Sequence, residues 1–136
     1  MKDWQIFFWA AAFFNFAIGA PLFISPEFMV AVTGTVMPAD PALMKVTGAL
    51  VICFGIVYAI VGGDPARYRP VIWAGLVGKL GTGFVFLPDW VAGTVPLPTI
   101  LIALCDIGFC TAFVYFLLRP TRKTGFRPDK KASVAA

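Results

Sequence analysis

Apolar and polar residues fall in long blocks along this chain rather than alternating. Four apolar stretches of helical length cover residues 4–24, 41–61, 70–87 and 98–118, parted by short segments rich in proline, glycine and charge. Each is close to the roughly 20 residues a helix needs to cross hydrocarbon. The pattern predicts an all-α fold, an integral membrane four-helix bundle over residues 1–118. The first span opens with Trp4, Phe7, Phe8 and Trp9, ring types that favour the headgroup layer. Ser25-Pro26-Glu27 then combines a capping serine, a first-turn proline and an acid on the helix dipole. This predicts a short interfacial helix from Pro26 to Thr33, closed by Gly34. Asp40-Pro41 repeats the cap-and-proline signal before the second span, where Gly48, Ala49, Gly55 and Ala59 fall near one face. Residues 62–70 form a tight polar connection, and Asp64-Pro65 could start the third span a turn or two early. The third span is expected to end at Leu87, before Pro88. Beyond Leu118 lies a basic tail, residues 119–136, expected to be disordered at its end.

Composition agrees. Hydrophobic residues make up 60% of the chain and its mean hydropathy is +0.86, against about 45–50% apolar residues in soluble domains. The net charge of +4 does not point to nucleic acid, because six of the eleven basic residues lie after Leu118, beside a membrane segment. There they set topology and touch anionic lipid. With four spans, Lys2, Arg67, Arg69, Arg119 and the tail share one side. Glu27, Asp40 and Asp89 share the other, with Lys45 just inside the second span. The positive-inside rule puts both termini in the cytoplasm of a multi-pass inner-membrane protein. The apolar run from Trp4 to Ile24 exceeds the roughly 7–15-residue core of a signal peptide, and Pro21 follows the small-residue site Ile18-Gly19-Ala20. We therefore read it as a span. Cys53, Cys105 and Cys110 lie in apolar runs, with no CxxC and no histidine, which argues against structural zinc, haem or a thioredoxin-like centre. No cofactor is expected.

A faint internal repeat relates residues 18–28 to 80–90, an offset of 62. Both segments run from a helix end into proline, an acid and an aromatic. Two spans per unit preserve orientation, so such a repeat would give two parallel two-helix halves.

Chemistry concentrates in a few polar residues at membrane depth. Lys79 is the lone charge in the third span and Asp106 the lone charge in the fourth. Each lies eight residues from the expected outer end of its helix, Leu87 or Pro98, or about 12 Å at 1.5 Å per residue. Asn15 lies at nearly the same level, and Lys45 is shallower with a stem long enough to reach inward or snorkel out. Charge in hydrocarbon demands compensation. Gly75, Thr82 and Gly83 flank Lys79 on the helical wheel, whereas Trp73, Val77, Leu80, Phe84 and Leu87 form an opposite, lipid-facing stripe. Thr99, Ala103 and Cys110 surround Asp106; Ala11, Ala12 and Gly19 surround Asn15. Small residues permit close helix approach, so these faces are expected to meet. Asn15, Lys45, Lys79 and Asp106 form a candidate polar cluster. It is either a binding site for a polar headgroup, a quinone oxygen or a transported proton, or an ion pair that fixes register.

The order of features resembles the DoxX-like group of small bacterial four-helix membrane proteins. The resemblance rests on four short spans, the helix end from Gly19 to Pro26, Lys45-Val46-Thr47-Gly48, Phe54-Gly55-Ile56-Val57-Tyr58 and the mid-membrane Asp106. It implies an accessory role like that of similar subunits in quinone-linked redox systems, and no catalytic residue. Three functions compete. The first is a non-enzymatic accessory subunit or binder of lipid, quinone or another small amphiphile. The second is a small oligomeric transporter built on Lys79 and Asp106. The third, a membrane enzyme acting on a lipid or quinone, is weakest, since only Lys79 and Asp106 could serve as acid and base. The expected partners are the bilayer, a membrane protein or second copy of the chain, and a small amphiphile, with no nucleic acid.

Overall fold

A computed structural model describes residues 2–119, and within them the fold is all-α. The elements in order are α1 (Lys2–Ile24), α2 (Pro26–Thr33), α3 (Ala42–Gly63), a 3-10 turn (Arg69–Val71), α4 (Ile72–Val91) and α5 (Leu97–Leu118). The four long helices are apolar and long enough to cross a membrane, and they form a four-helix membrane bundle with α2 as a short fifth helix. The basic tail from residue 120 onward lies outside the described residues.

Local chemistry accounts for most of the helix ends. Ser25 Oγ accepts from the Phe28 N–H at 3.4 Å, Pro26 takes the first turn, and Gly34 ends α2 with a φ of 72°. A left-handed backbone there favours glycine. Asp40 Oδ1 accepts from the Ala42 N–H at 2.9 Å. Asp64 Oδ1 accepts from the Arg67 N–H at 3.1 Å in the polar connection. One end differs from expectation. α4 continues through Pro88 to Val91, then closes through Gly93 at φ 70°. The helix loses the hydrogen bond that residue 88 would have made to the Phe84 carbonyl and continues regardless. The two repeat-like segments therefore diverge in shape: the first breaks at Ser25 into α2, while the second remains one helix.

Packing is uneven along the bundle. α1 and α3 lie backbone against backbone. A Cβ on Gly48 would sit 2.6 Å from the Phe23 nitrogen and 2.8 Å from the Gly19 carbonyl oxygen, so only glycine permits this crossing. Further along the seam Gly55 faces the Phe16 ring and Gly62 faces Trp9. At the end carrying Lys2 and Leu118, an aromatic core joins α1, α3 and α5. Phe8 stacks on Phe113 at 5.8 Å between centroids, and Tyr58 meets Phe113 at 5.2 Å. Arg69 closes this end, lying over Phe116 and donating to the Leu117 and Arg119 carbonyls at the foot of α5.

At the far end, where α2 lies, α4 stands away from the tightly packed α1–α3 pair. Residues 80–91 of α4 are all exposed. The expected lipid-facing stripe of Trp73, Val77, Leu80, Phe84 and Leu87 is exposed throughout. Gly75 is buried against Tyr58, as expected of a packing glycine. Gly83 corrects the sequence reading: it is exposed, and a Cβ there would meet nothing within 4 Å. Gly83 lines the space between α4 and α5, and the two helices do not close over it there.

Candidate functional site

The bundle opens where its polar residues gather. Lys79 Nζ forms a direct ion pair with Asp106 Oδ1, joining α4 to α5. It also donates to Asn15 Oδ1 at 3.4 Å, which brings in α1. Asn15 is oriented by α3: its Nδ2 donates to the Val51 carbonyl at 3.3 Å, which turns the amide oxygen toward Lys79. Three rings surround the ammonium, with centroids at 5.3 Å for Phe109, 5.6 Å for Phe14 and 5.9 Å for Tyr58. Cation–π contacts of this kind contribute about 0.5–2 kcal/mol each, more as water is excluded. The Lys79 side chain is 9% exposed and Asp106 is 23% exposed.

A cavity of about 530 Å³ lies directly beyond this group, toward the far end. Its polar boundary carries Asn15, Tyr58, Lys79 and Asp106, and its walls are largely apolar, with Ile18, Leu22, Val51, Phe54 and Ile102 among them. Thr33, Thr35 and Pro38, from the end of α2 and the loop after it, cover its far end. Thr99 Oγ1 donates to the Thr33 carbonyl at 3.4 Å and ties that cover to α5. A second cavity of about 240 Å³ lies between α4 and α5, and Lys79, Thr82, Phe86 and Asp106 line both. The ion pair thus stands between two spaces.

Asn15, Lys79 and Asp106 come together. Lys45 does not: it is exposed on α3 and borders neither cavity, although its neighbours Met44 and Thr47 line the larger one. Its position on the helix turns it toward the surroundings, which corrects its inclusion in the cluster. Tyr58 is the residue the sequence reading missed. It is 1% exposed, lines the larger cavity, and its hydroxyl makes no hydrogen bond among the described residues. The available signal was its spacing: Tyr58 falls ten residues after Gly48 and three after Gly55, on the inward face of α3.

An ammonium paired with a carboxylate leaves this boundary with no net charge, yet Asp106 Oδ2 and the Tyr58 hydroxyl still have unused hydrogen-bonding capacity. An apolar chamber with a few convergent polar atoms has the form of a small-molecule site, and such sites run about 300–1,000 Å³. Comparison with family models, with curated proteins and with solved structures finds no match to this chain.

Proposed function

We propose that this chain is a non-enzymatic inner-membrane protein that binds a small amphiphile such as a lipid or quinone, alone or as the accessory subunit of a larger complex. The observation that carries the proposal is the cavity of about 530 Å³ built on the Lys79–Asp106 pair. A pair acting only as a clamp would favour tight packing around it, because voids cost contacts on every side. Here an apolar chamber adjoins it instead, within helices suited to hydrocarbon. The DoxX-like resemblance, with the four spans and Asp106 at mid-depth, favours the same accessory role. We place both termini in the cytoplasm, on the distribution of Lys2, Arg67, Arg69 and Arg119 against Glu27, Asp40 and Asp89.

Native mass spectrometry of the protein released from lipid nanodiscs tests the proposal. The wild-type chain should retain an adduct of defined mass, with stoichiometric occupancy, after bulk lipid is stripped. Thr82→Trp, which adds an indole at a position lining both cavities, should lose that adduct while keeping its helical signal. A wild-type protein that sheds everything with bulk lipid would refute ligand binding.

One observation favours transport as a second reading: the pair borders two separate cavities, so reorganisation of Lys79 could pass a polar head or proton between them. Proteoliposomes loaded with a pH dye would then acidify in response to a gradient, and Lys79→Met would abolish the response.

A further inference from the structure

We infer that the ligand is a neutral amphiphile with a hydroxyl head, taken directly from the bilayer through a slot between α3 and α4. This rests on the amphiphile-binding reading above and specifies its ligand by head chemistry and route.

The route follows from which lining residues are exposed. Those on α1, α2, α5 and the loop after α2 are buried or half-buried. The exposed ones are Leu43, Thr47 and Leu50 on α3 and Thr82 and Phe86 on α4. The chamber therefore opens sideways between these two helices. Near the ion pair Gly75 abuts Tyr58, Gly78 abuts Phe54 and the Lys79 ammonium faces the Tyr58 ring; further along, a Cβ on Gly81 or Gly83 would meet nothing within 4 Å. The two ends are closed. Thr33 Oγ1 bonds the Met29 carbonyl at 2.7 Å and Thr35 Oγ1 at 2.8 Å, and with Thr99 this knits the cover at the far end. The aromatic core fills the end near Lys2 and Leu118. A slot flanked by Leu50 and Phe86 on spans of this hydropathy faces acyl chains, so it admits molecules already dissolved in the bilayer and leaves room for a tail to trail out.

The head follows from the charge and hydrogen-bond inventory. Among the described residues, Lys79 and Asp106 are the only charged side chains lining the larger cavity, and they neutralise each other. The ammonium is already engaged by a carboxylate, an amide oxygen and three ring faces. An anionic head would add an uncompensated charge in a space of low polarity, and so would a cationic one. Two polar atoms of the lining residues make no hydrogen bond among the described residues: Asp106 Oδ2, an acceptor, and the hydroxyl of Tyr58, which is 1% exposed. A hydroxyl head can donate to the first and accept from the second. A carbonyl head can only accept, and would leave the carboxylate oxygen unserved.

The test uses three photoreactive probes sharing one sixteen-carbon chain, with a diazirine at mid-chain and an alkyne at the tail. Their heads are hydroxyl, phosphate and trimethylammonium. Each is added to the full chain in nanodiscs, crosslinked, and mapped by peptide mass spectrometry. The hydroxyl probe should label the slot residues Thr47, Leu50 and Phe86 saturably, several-fold above the other two heads. Tyr58→Phe, which removes one oxygen and keeps the ring packing, should weaken saturable labelling about fivefold, the equivalent of one hydrogen bond. Equal or stronger slot labelling by the phosphate or ammonium probe would overturn the neutral head and leave amphiphile binding standing. Saturable hydroxyl labelling unchanged in Tyr58→Phe would overturn the assigned head contact. Slot labelling by no probe above that of the exposed Phe13 on α1 would sink both the inference and the reading beneath it.

Discussion

Lys79→Met and Asp106→Leu should not be equally harmful. Methionine is close to lysine in volume, leucine keeps the branched outline of aspartate with more bulk, and each replacement leaves one charge without its partner. At a separation of 4 Å and an effective dielectric of 20, two unit charges attract by about 4 kcal/mol, and breaking a buried pair typically costs about 3–5 kcal/mol. The surroundings then decide which partner suffers more. Without Asp106, the ammonium keeps Asn15 Oδ1 at 3.4 Å and three rings within 5.9 Å. Without Lys79, the carboxylate keeps no side-chain donor among the described residues. We expect losses of about 3 kcal/mol for Asp106→Leu and about 4–5 kcal/mol for Lys79→Met. Replacing both should cost no more than the milder single change, a coupling of about 4 kcal/mol or more. Reversible unfolding in mixed micelles with rising SDS, followed by circular dichroism, gives all four stabilities. Simple additivity would mean that the charges do not interact. Asp106→Leu proving the worse change would mean that the rings and Asn15 do not hold the ammonium.

Other positions give sharper contrasts. Gly48→Ala should destabilise by about 1–3 kcal/mol, because its new methyl meets only backbone atoms, at 2.6–2.9 Å; Gly81→Ala, with open space around it, should be neutral or slightly stabilising in the same titration. Leucine at Gly75 should displace Tyr58, whose hydroxyl lies 2.5 Å from the built Cβ, and lower the melting temperature well below that of Gly83→Leu or Phe84→Ala. A reporter active only in the periplasm should stay silent when fused after Ala136 and give signal when inserted in the loop between α4 and α5; the reverse pattern would invert the proposed orientation.

What could be read from sequence was whatever depends on local spacing. Helix lengths follow from block hydropathy, and the α2 start follows from Ser25-Pro26-Glu27, because capping is a matter of three or four residues. The meeting of Lys79 with Asp106 was foreseeable because one lone charge per span must be compensated and both were at one depth. Four things resisted. Pro88 was expected to stop α4, yet a single missing hydrogen bond was tolerated and the helix gained four residues, to Val91. Gly83 and Lys45 were assigned inward positions from small neighbours or long reach, but burial depends on how closely a neighbouring helix approaches and on the face a residue occupies: α5 does not close on Gly83, and Lys45 is exposed. The cavity was invisible for the same reason, since it exists where α3 and α4 fail to touch. Tyr58 was hidden because a tyrosine on an inward face ordinarily reads as packing, and only the unbonded hydroxyl beside an open chamber distinguishes it.

A crystal structure grown from a lipid mesophase would test the central claim most directly, by the electron density in the chamber beyond the Lys79–Asp106 pair. We predict elongated density with its head within hydrogen-bonding distance of Asp106 Oδ2 and the Tyr58 hydroxyl, and its tail passing between Leu50 and Phe86 into the bilayer. Closure of α3 onto α4 from Leu50 to Phe86, with side chains filling the chamber around an intact ion pair, would contradict it and leave the pair a clamp.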